Sequence, residues 1–156
     1  MNTEITSKEN SIKELQYEIK EIENIKAQAD NFVTNLKKFF IVTNQGGLKS
    51  DFEQYNFRAK LYAIEDICCE YLNNRFANSV GSDAQYCPSM DKTDLYRKPN
   101  TAMLESLFTQ WDVKSKAECI MIGDASGKPG DFSDSDKKCA ENFGIDYIDI
   151  RDFLEL

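Results

Sequence analysis

Residues 39–47 read Phe39-Phe40-Ile41-Val42-Thr43-Asn44-Gln45-Gly46-Gly47. The apolar run is short and partly β-branched, and a polar, glycine-bearing turn closes it. That combination predicts a buried strand. The pattern returns at Cys119-Ile120-Met121-Ile122, followed by Gly123-Asp124 and a loop rich in Gly, Pro, Ser and Asp. Ala84 to Cys87 and Ile145 to Ile150 predict two further short strands. Helical spacing fills the intervals. A helix is expected over about Asp51 to Arg75, with Phe52, Tyr55, Leu61, Ile64, Ile67, Cys68, Tyr71 and Leu72 as its apolar stripe. Pro88 to Lys92 reads as loop. Pro99 and Asn100 open another helix, with Met103, Leu104 and Leu107 facing inward, since proline suits a helix start. A helix from about Ser133 to Phe143 stops at Gly144, and Asp152 to Leu156 reads as a terminal turn. Strands alternating with helices predict an α/β fold with a mostly parallel sheet.

Upstream of Phe39 the period is different. Ile12, Leu15, Ile19 and Ile22 follow helical spacing, and Ile25, Ala29, Phe32 or Val33, and Leu36 continue it with a shifted phase. One long amphipathic helix is expected over Ser7 to Lys38, dividing the chain into a helix at 1–38 and an α/β domain at 39–156. The helix either covers the domain or forms a short coiled coil that recruits a second copy or a partner chain. Fewer than three clean heptads support the second use.

Composition narrows the chemistry. The 156 residues fit one ordinary domain, and 41% hydrophobic with 29% charged residues is a globular mix. Lys and Arg number 19 against 27 Asp and Glu, so the net charge of −8 cannot drive binding to a long polyanion. There is no histidine. Ser-His and Cys-His dyads, His-ligated zinc and imidazole bases are therefore excluded. Five cysteines without a Cys-x-x-Cys pair argue against a disulfide framework and a zinc knuckle. They read as reduced thiols of a cytoplasmic protein. The polar, acidic start lacks the apolar core of a signal peptide. No apolar run has the roughly 18 residues needed to span a membrane.

In parallel sheets, functional residues gather at the carboxyl ends of the strands. Two such ends carry polar groups here, Thr43-Asn44 and Gly123-Asp124. A hydroxyl with nearby backbone N–H groups can hold a phosphate oxygen. A carboxylate at another strand end can ligate Mg2+. Lys98, just before a helix start, can meet an anion. Taken singly, each is also what a plain turn or a solvated lysine looks like.

The order of the strings is more specific. Residues 39–47 resemble the second motif of haloacid-dehalogenase-type (HAD) phosphatases. Tyr96-Arg97-Lys98-Pro99-Asn100-Thr101-Ala102-Met103 resembles the third, in the form used by polynucleotide kinase 3′-phosphatases. Ile120-Met121-Ile122-Gly123-Asp124-Ala125-Ser126-Gly127 resembles the fourth, and Asp131-Phe132-Ser133-Asp134-Ser135-Asp136 extends it. The resemblance covers 39–150. It implies a Rossmann-like three-layer sandwich and Mg2+-dependent phosphomonoester hydrolysis at a nucleic-acid 3′ end. By position, Thr43 and the backbone N–H of Asn44 would bind the phosphoryl group, and Lys98 would neutralise it. Asp124 would ligate Mg2+. Asp136 would orient Lys98 or support the metal, with Asp131 and Asp134 as substitutes. Asp136 also reads as a first-turn helix residue favoured by the macrodipole. Lys92, Arg97, Lys98, Lys128, Lys137 and Lys138 would form a local basic group for a strand end.

One part is missing. The family's first motif is an apolar strand followed by Asp-x-Asp, whose first Asp is the nucleophile. No such string precedes Phe39, where Asp30 is the sole aspartate and falls inside the helical pattern. Asp134-Ser135-Asp136 has the spacing but follows no strand. Asp149-Ile150-Arg151-Asp152 follows a strand but has the wrong spacing. The expectation is a sandwich lacking its first strand and a domain inactive alone. A piece of a phosphatase, a split enzyme completed by a partner chain, and a non-catalytic binding module all fit. A small-molecule phosphatase acting on a nucleotide or sugar phosphate is the remaining alternative. The absence of a long insertion after residues 39–47 leaves the site open, which suits a polymer end better.

Overall fold

The computed structural model describes residues 11–20, 22, 23, 27, 36–76 and 80–155. Residues 37–155 belong to one compact unit. Within the helix expected over 7–38, residues 11–20, 22, 23 and 27 are helical. The remainder through residue 35 lies outside the described residues. Leu36 and Lys37 are not helical, and Lys38 already belongs to a strand. The reason is pairing, because the Lys37 carbonyl accepts the Gly81 N–H at 3.0 Å.

The elements run β1 (Lys38–Asn44), α1 (Asp51–Phe76), β2 (Gly81–Cys87), α2 (Ala102–Gln110), a 3-10 turn (Lys116–Glu118), β3 (Ile120–Gly123), α3 (Ser135–Phe143), β4 (Asp146–Asp149) and α4 (Ile150–Leu154). The α/β alternation and the parallel pairing are as expected. The strands, however, form two separate two-stranded sheets, β1 with β2 and β3 with β4. Among the described residues no strand joins β1 to β3. In a parallel ladder successive residues bond to opposite sides. Lys37 and Gln45 bond to β2 residues, so the alternate residues Phe40 and Val42 aim their backbone groups at the other edge. Lys98 Nζ takes the Val42 carbonyl there at 2.8 Å.

Side chains link the halves. Leu104, Met121, Cys139, Ala140 and Phe143 form a buried cluster, and Val42 of β1 packs against it. Phe108 and Phe143 meet edge to face with centroids 4.7 Å apart, a favoured aromatic geometry. Trp111, after α2, donates its indole N–H to Asp83 of β2 at 3.0 Å.

Local chemistry sets the boundaries. Ser50 and Glu53 form a reciprocal capping box at the start of α1, with Glu53 accepting the Ser50 N–H at 2.9 Å and Ser50 Oγ accepting the Glu53 N–H at 3.2 Å. Pro99 and Asn100 do not open α2, which begins at Ala102. The Lys98–Pro99 peptide is cis, and the Asn100 amide is used by the Lys92 and Asp94 carbonyls. The helix expected from Ser133 begins at Ser135, where Ser133 Oγ accepts the Ser135 N–H. It stops at Gly144, whose φ of 83° is cheap only without a Cβ. Ile150 leaves the strand and starts α4, because Asp149 accepts the Arg151 N–H at 2.9 Å. That helix replaces the expected terminal turn.

The apolar stripe expected on α1 is only partly inward. Leu61 is buried and Cys68 and Leu72 are half-buried, but Phe52, Tyr55, Ile64, Ile67 and Tyr71 are exposed. The inward line is Gln54, Phe57, Leu61, Glu65, Cys68 and Leu72. It keeps helical spacing while including polar residues. Glu65 earns its place by accepting the Ser82 hydroxyl at 2.7 Å.

Leu107 is 0% exposed and Phe52 73%. Leu107→Ala should cost about 2–5 kcal/mol, and Phe52→Ala should stay within about 0.5 kcal/mol. Urea unfolding of the two variants checks the assignment of the core.

Candidate functional site

A chain of contacts runs from the end of β1 to the end of β3. Lys98 lies in the loop before α2 and is 9% exposed. Its ammonium donates to the Val42 carbonyl at 2.8 Å and pairs with Asp136 Oδ1 at 2.7 Å. Asp136 sits in the first turn of α3 and is 6% exposed. Its carboxylate lies against Gly123, where a Cβ would come within 2.5 Å of Oδ2. The glycine is therefore required by close approach. Asp136 thus combines the two roles expected of it, a first-turn acid and a partner of Lys98.

Thr43 follows Val42, and its hydroxyl accepts Gln45 Nε2 at 3.0 Å. The Asn44 side chain has a role the sequence does not signal. Its amide donates to the Lys98 carbonyl and accepts the Lys98 N–H, both at 2.9 Å. The end of β1 thereby grips the lysine's backbone as well as its ammonium.

Asp124 follows Gly123 and is exposed. Among the described residues no three His, Cys, Asp or Glu side chains gather as a ready metal cage. Mg2+ needs no such cage, since one or two carboxylates with water and phosphate oxygens suffice. Asp124 is compatible with that as a lone carboxylate.

Asp131 and Asp134 hold other posts. Asp131 accepts the Ser126 hydroxyl at 2.8 Å and the N–H groups of Ser126 and Lys128 at 3.1 and 3.0 Å. These bonds, the Ser126 hydroxyl foremost, lower its pKa. Asp134 pairs with Lys138 at 2.6 Å. Arg151 joins Asp131 at 2.9 Å to the buried Asp149 at 2.6 Å. Its hydrogen bonds hold the Asp149 carboxyl far below the usual carboxylate range. This network stiffens the loop after β3. Nothing in the local strings marks Arg151 as its centre. The expected basic group is mostly engaged as well: Lys128 pairs with Asp152, and Arg97 donates to the Ser89 carbonyl.

Two other groups stay protonated at neutral pH. Burial pushes the Cys139 thiol up to about 11, and Asp136 adds to the rise while Lys98 opposes it. Burial, reinforced by the surrounding carboxylates, pushes the Tyr147 phenol up to about 12. The phenol donates to the Gly123 carbonyl at 2.8 Å.

The sequence profile described as polynucleotide kinase 3 phosphatase matches residues 2–153. The chain belongs to that family. A protein of Acanthamoeba polyphaga mimivirus, named for a bifunctional polynucleotide phosphatase/kinase, is 26% identical over 154 residues, covering 83% of this chain and 35% of its own length. An uncharacterized 20.8 kDa protein of Autographa californica nuclear polyhedrosis virus is 28% identical over 122 residues, covering 74% of this chain and 60% of its own. The chain thus spans about a third and three-fifths of these relatives. No solved structure matches. No helix among the described residues is long and apolar enough to cross a membrane.

Two predictions follow from the charges of this 3′-phosphatase family member. Lys98→Met strands a buried carboxylate and should cost about 3–5 kcal/mol, most of it recovered in Lys98→Met/Asp136→Leu. Urea midpoints of both variants test the pair. Asp149 and Asp131 have lowered pKa values in the folded chain, so folding favours their ionised forms. That stabilisation is complete above the unfolded value of about 3.9 and drains as pH falls through the folded values. Arg151→Ala should therefore lower the melting temperature at pH 6 and converge on the parent near pH 2.

Proposed function

We propose that this chain carries the phosphate-holding part of a Mg2+-dependent phosphatase acting at the 3′ end of a polynucleotide, built on a sandwich of HAD type. Lys98 carries the reading. It is a cation shielded from water and pinned beside the end of β1. An ammonium has three donors, and Val42 and Asp136 use two. The third is left for a phosphate oxygen. Thr43 Oγ accepts from Gln45, and its own proton is left to donate. Phosphoryl transfer is catalysed mainly by positioning and charge stabilisation, which these two residues offer. Asp124 would hold Mg2+, which when bound offsets charge on the phosphate oxygens. The mimivirus relative's name supports a polynucleotide rather than a small ester as substrate.

The same reading makes the 156-residue chain a binder without turnover. Covalent phosphoryl transfer needs an attacking group. Asp136 is committed to Lys98, Asp131 and Asp149 to Arg151, and Asp134 to Lys138. Cys139 and Tyr147 remain protonated. The sequence has no Asp-x-Asp after an apolar strand.

Anisotropy with labelled oligonucleotides and a phosphate-release assay in Mg2+ test both halves. A 3′-phosphorylated strand should bind at least about tenfold tighter than its 3′-hydroxyl twin, a difference of about 1.4 kcal/mol. Lys98→Ala and the milder Thr43→Val should erase that preference. Equal binding of both ends would remove the reading. Phosphate release should not exceed that of Asp124→Asn. Turnover abolished by Asp124→Asn would overturn the inactivity and leave the substrate assignment standing.

A further inference from the structure

A cavity of about 290 Å³ opens beside β2, lined by Arg58, Tyr62, Gln85, Tyr86, Tyr96 and Ser106 among others. It holds three phenol rings and a guanidinium. A second cavity, bordered by Thr101, Glu105 and Asn142, carries no ring. We infer that the tyrosine-lined cavity receives the base of the terminal nucleotide whose phosphate Lys98 and Thr43 hold. The inference rests on the proposed polynucleotide reading and adds a second subsite to it.

Position supports it first. Tyr86 is the ladder partner of Thr43, so the two backbones are about 4.8 Å apart and the side chains share a sheet face. Tyr96 stands two residues before Lys98. Two walls of the cavity are thus tied to the two phosphate-holding residues, within the reach of one nucleotide.

Construction supports it next. Tyr86 is braced from two sides. The Phe57 ring meets it edge-on at 5.1 Å. Arg58 lies 5.9 Å from its ring centre and donates to its hydroxyl at 3.3 Å. Tyr62 and Tyr96 are 46% and 50% exposed, which leaves ring surface for a ligand. The Gln85 amide, held by Ser106 Oγ at 3.1 Å, offers polar atoms to the edge of a base. Stacking on aromatic rings and cation–π contact with arginine bind bases of any sequence.

Charge supports it last. At a net charge of −8, contacts to backbone phosphates gain little from the overall field. Stacking does not depend on that field, so an acidic protein can hold a strand end by its last base.

The test uses the 156-residue chain and three 5′-labelled strands. One ends in a 3′-phosphorylated nucleotide, one in a 3′-phosphorylated abasic residue, and one in a 3′-hydroxyl. The base should tighten binding of the phosphorylated end about tenfold. Tyr62→Ala and Tyr96→Ala, both at exposed positions, should remove most of that gain, while Tyr96→Phe keeps it. Preference for the phosphate without preference for the base, or alanine variants that keep the gain, would overturn the inference and leave the polynucleotide reading intact. Indifference to the phosphate would take both away.

Discussion

The buried ion pair between Lys98 and Asp136 is the contact on which the arrangement of the site depends. Taking two charges out of water is costly, and such a pair persists only when further hydrogen bonds complete it. Here the Val42 carbonyl completes the ammonium. Gly123 leaves room for the carboxylate. The bonds draw together the edge of β1, the loop before α2, the end of β3 and the first turn of α3. Apolar burial is non-directional and would hold these pieces close without setting their angles. Directed hydrogen bonds set them.

The pair also sits where the sheet is interrupted. The carbonyl it uses belongs to the edge of β1 that does not face β2. An unmade backbone hydrogen bond at a buried edge costs roughly 1–3 kcal/mol, and the lysine satisfies one such group. The Asn44 amide works in the same direction by tying the strand's end to the lysine's backbone. The two small sheets are therefore joined by polar contacts at their carboxyl ends and by the shared cluster around Met121 and Phe143.

Much of this was legible in the residues. The apolar runs at Phe39 and Ile120 are strands because buried strands need apolar side chains on both faces. Thr43, Asn44, Lys98 and Asp136 were marked by their strings, and the structure gathers them. The stripe on α1 was misread because periodicity counts apolar residues and is blind to what a polar one finds inside. Glu65 turns inward toward Ser82, and that rotation exposes Ile64 and Ile67. The opening of α2 was misread because Asn100 is engaged by two carbonyls of the preceding loop, which helix-start rules do not see.

The sequence by itself determined the order of strands and helices, the exclusion of histidine chemistry, and the residues that carry phosphate and metal character. Those follow from side-chain chemistry and local spacing. Tertiary structure alone decided that the strands pair as two sheets, that Asp131 and Asp149 share Arg151, and that three tyrosines distant in sequence line one cavity. Such features depend on which backbone edge meets which, and on rings brought together from α1, β2 and the loop before Lys98. Neither is encoded within a single stretch of chain.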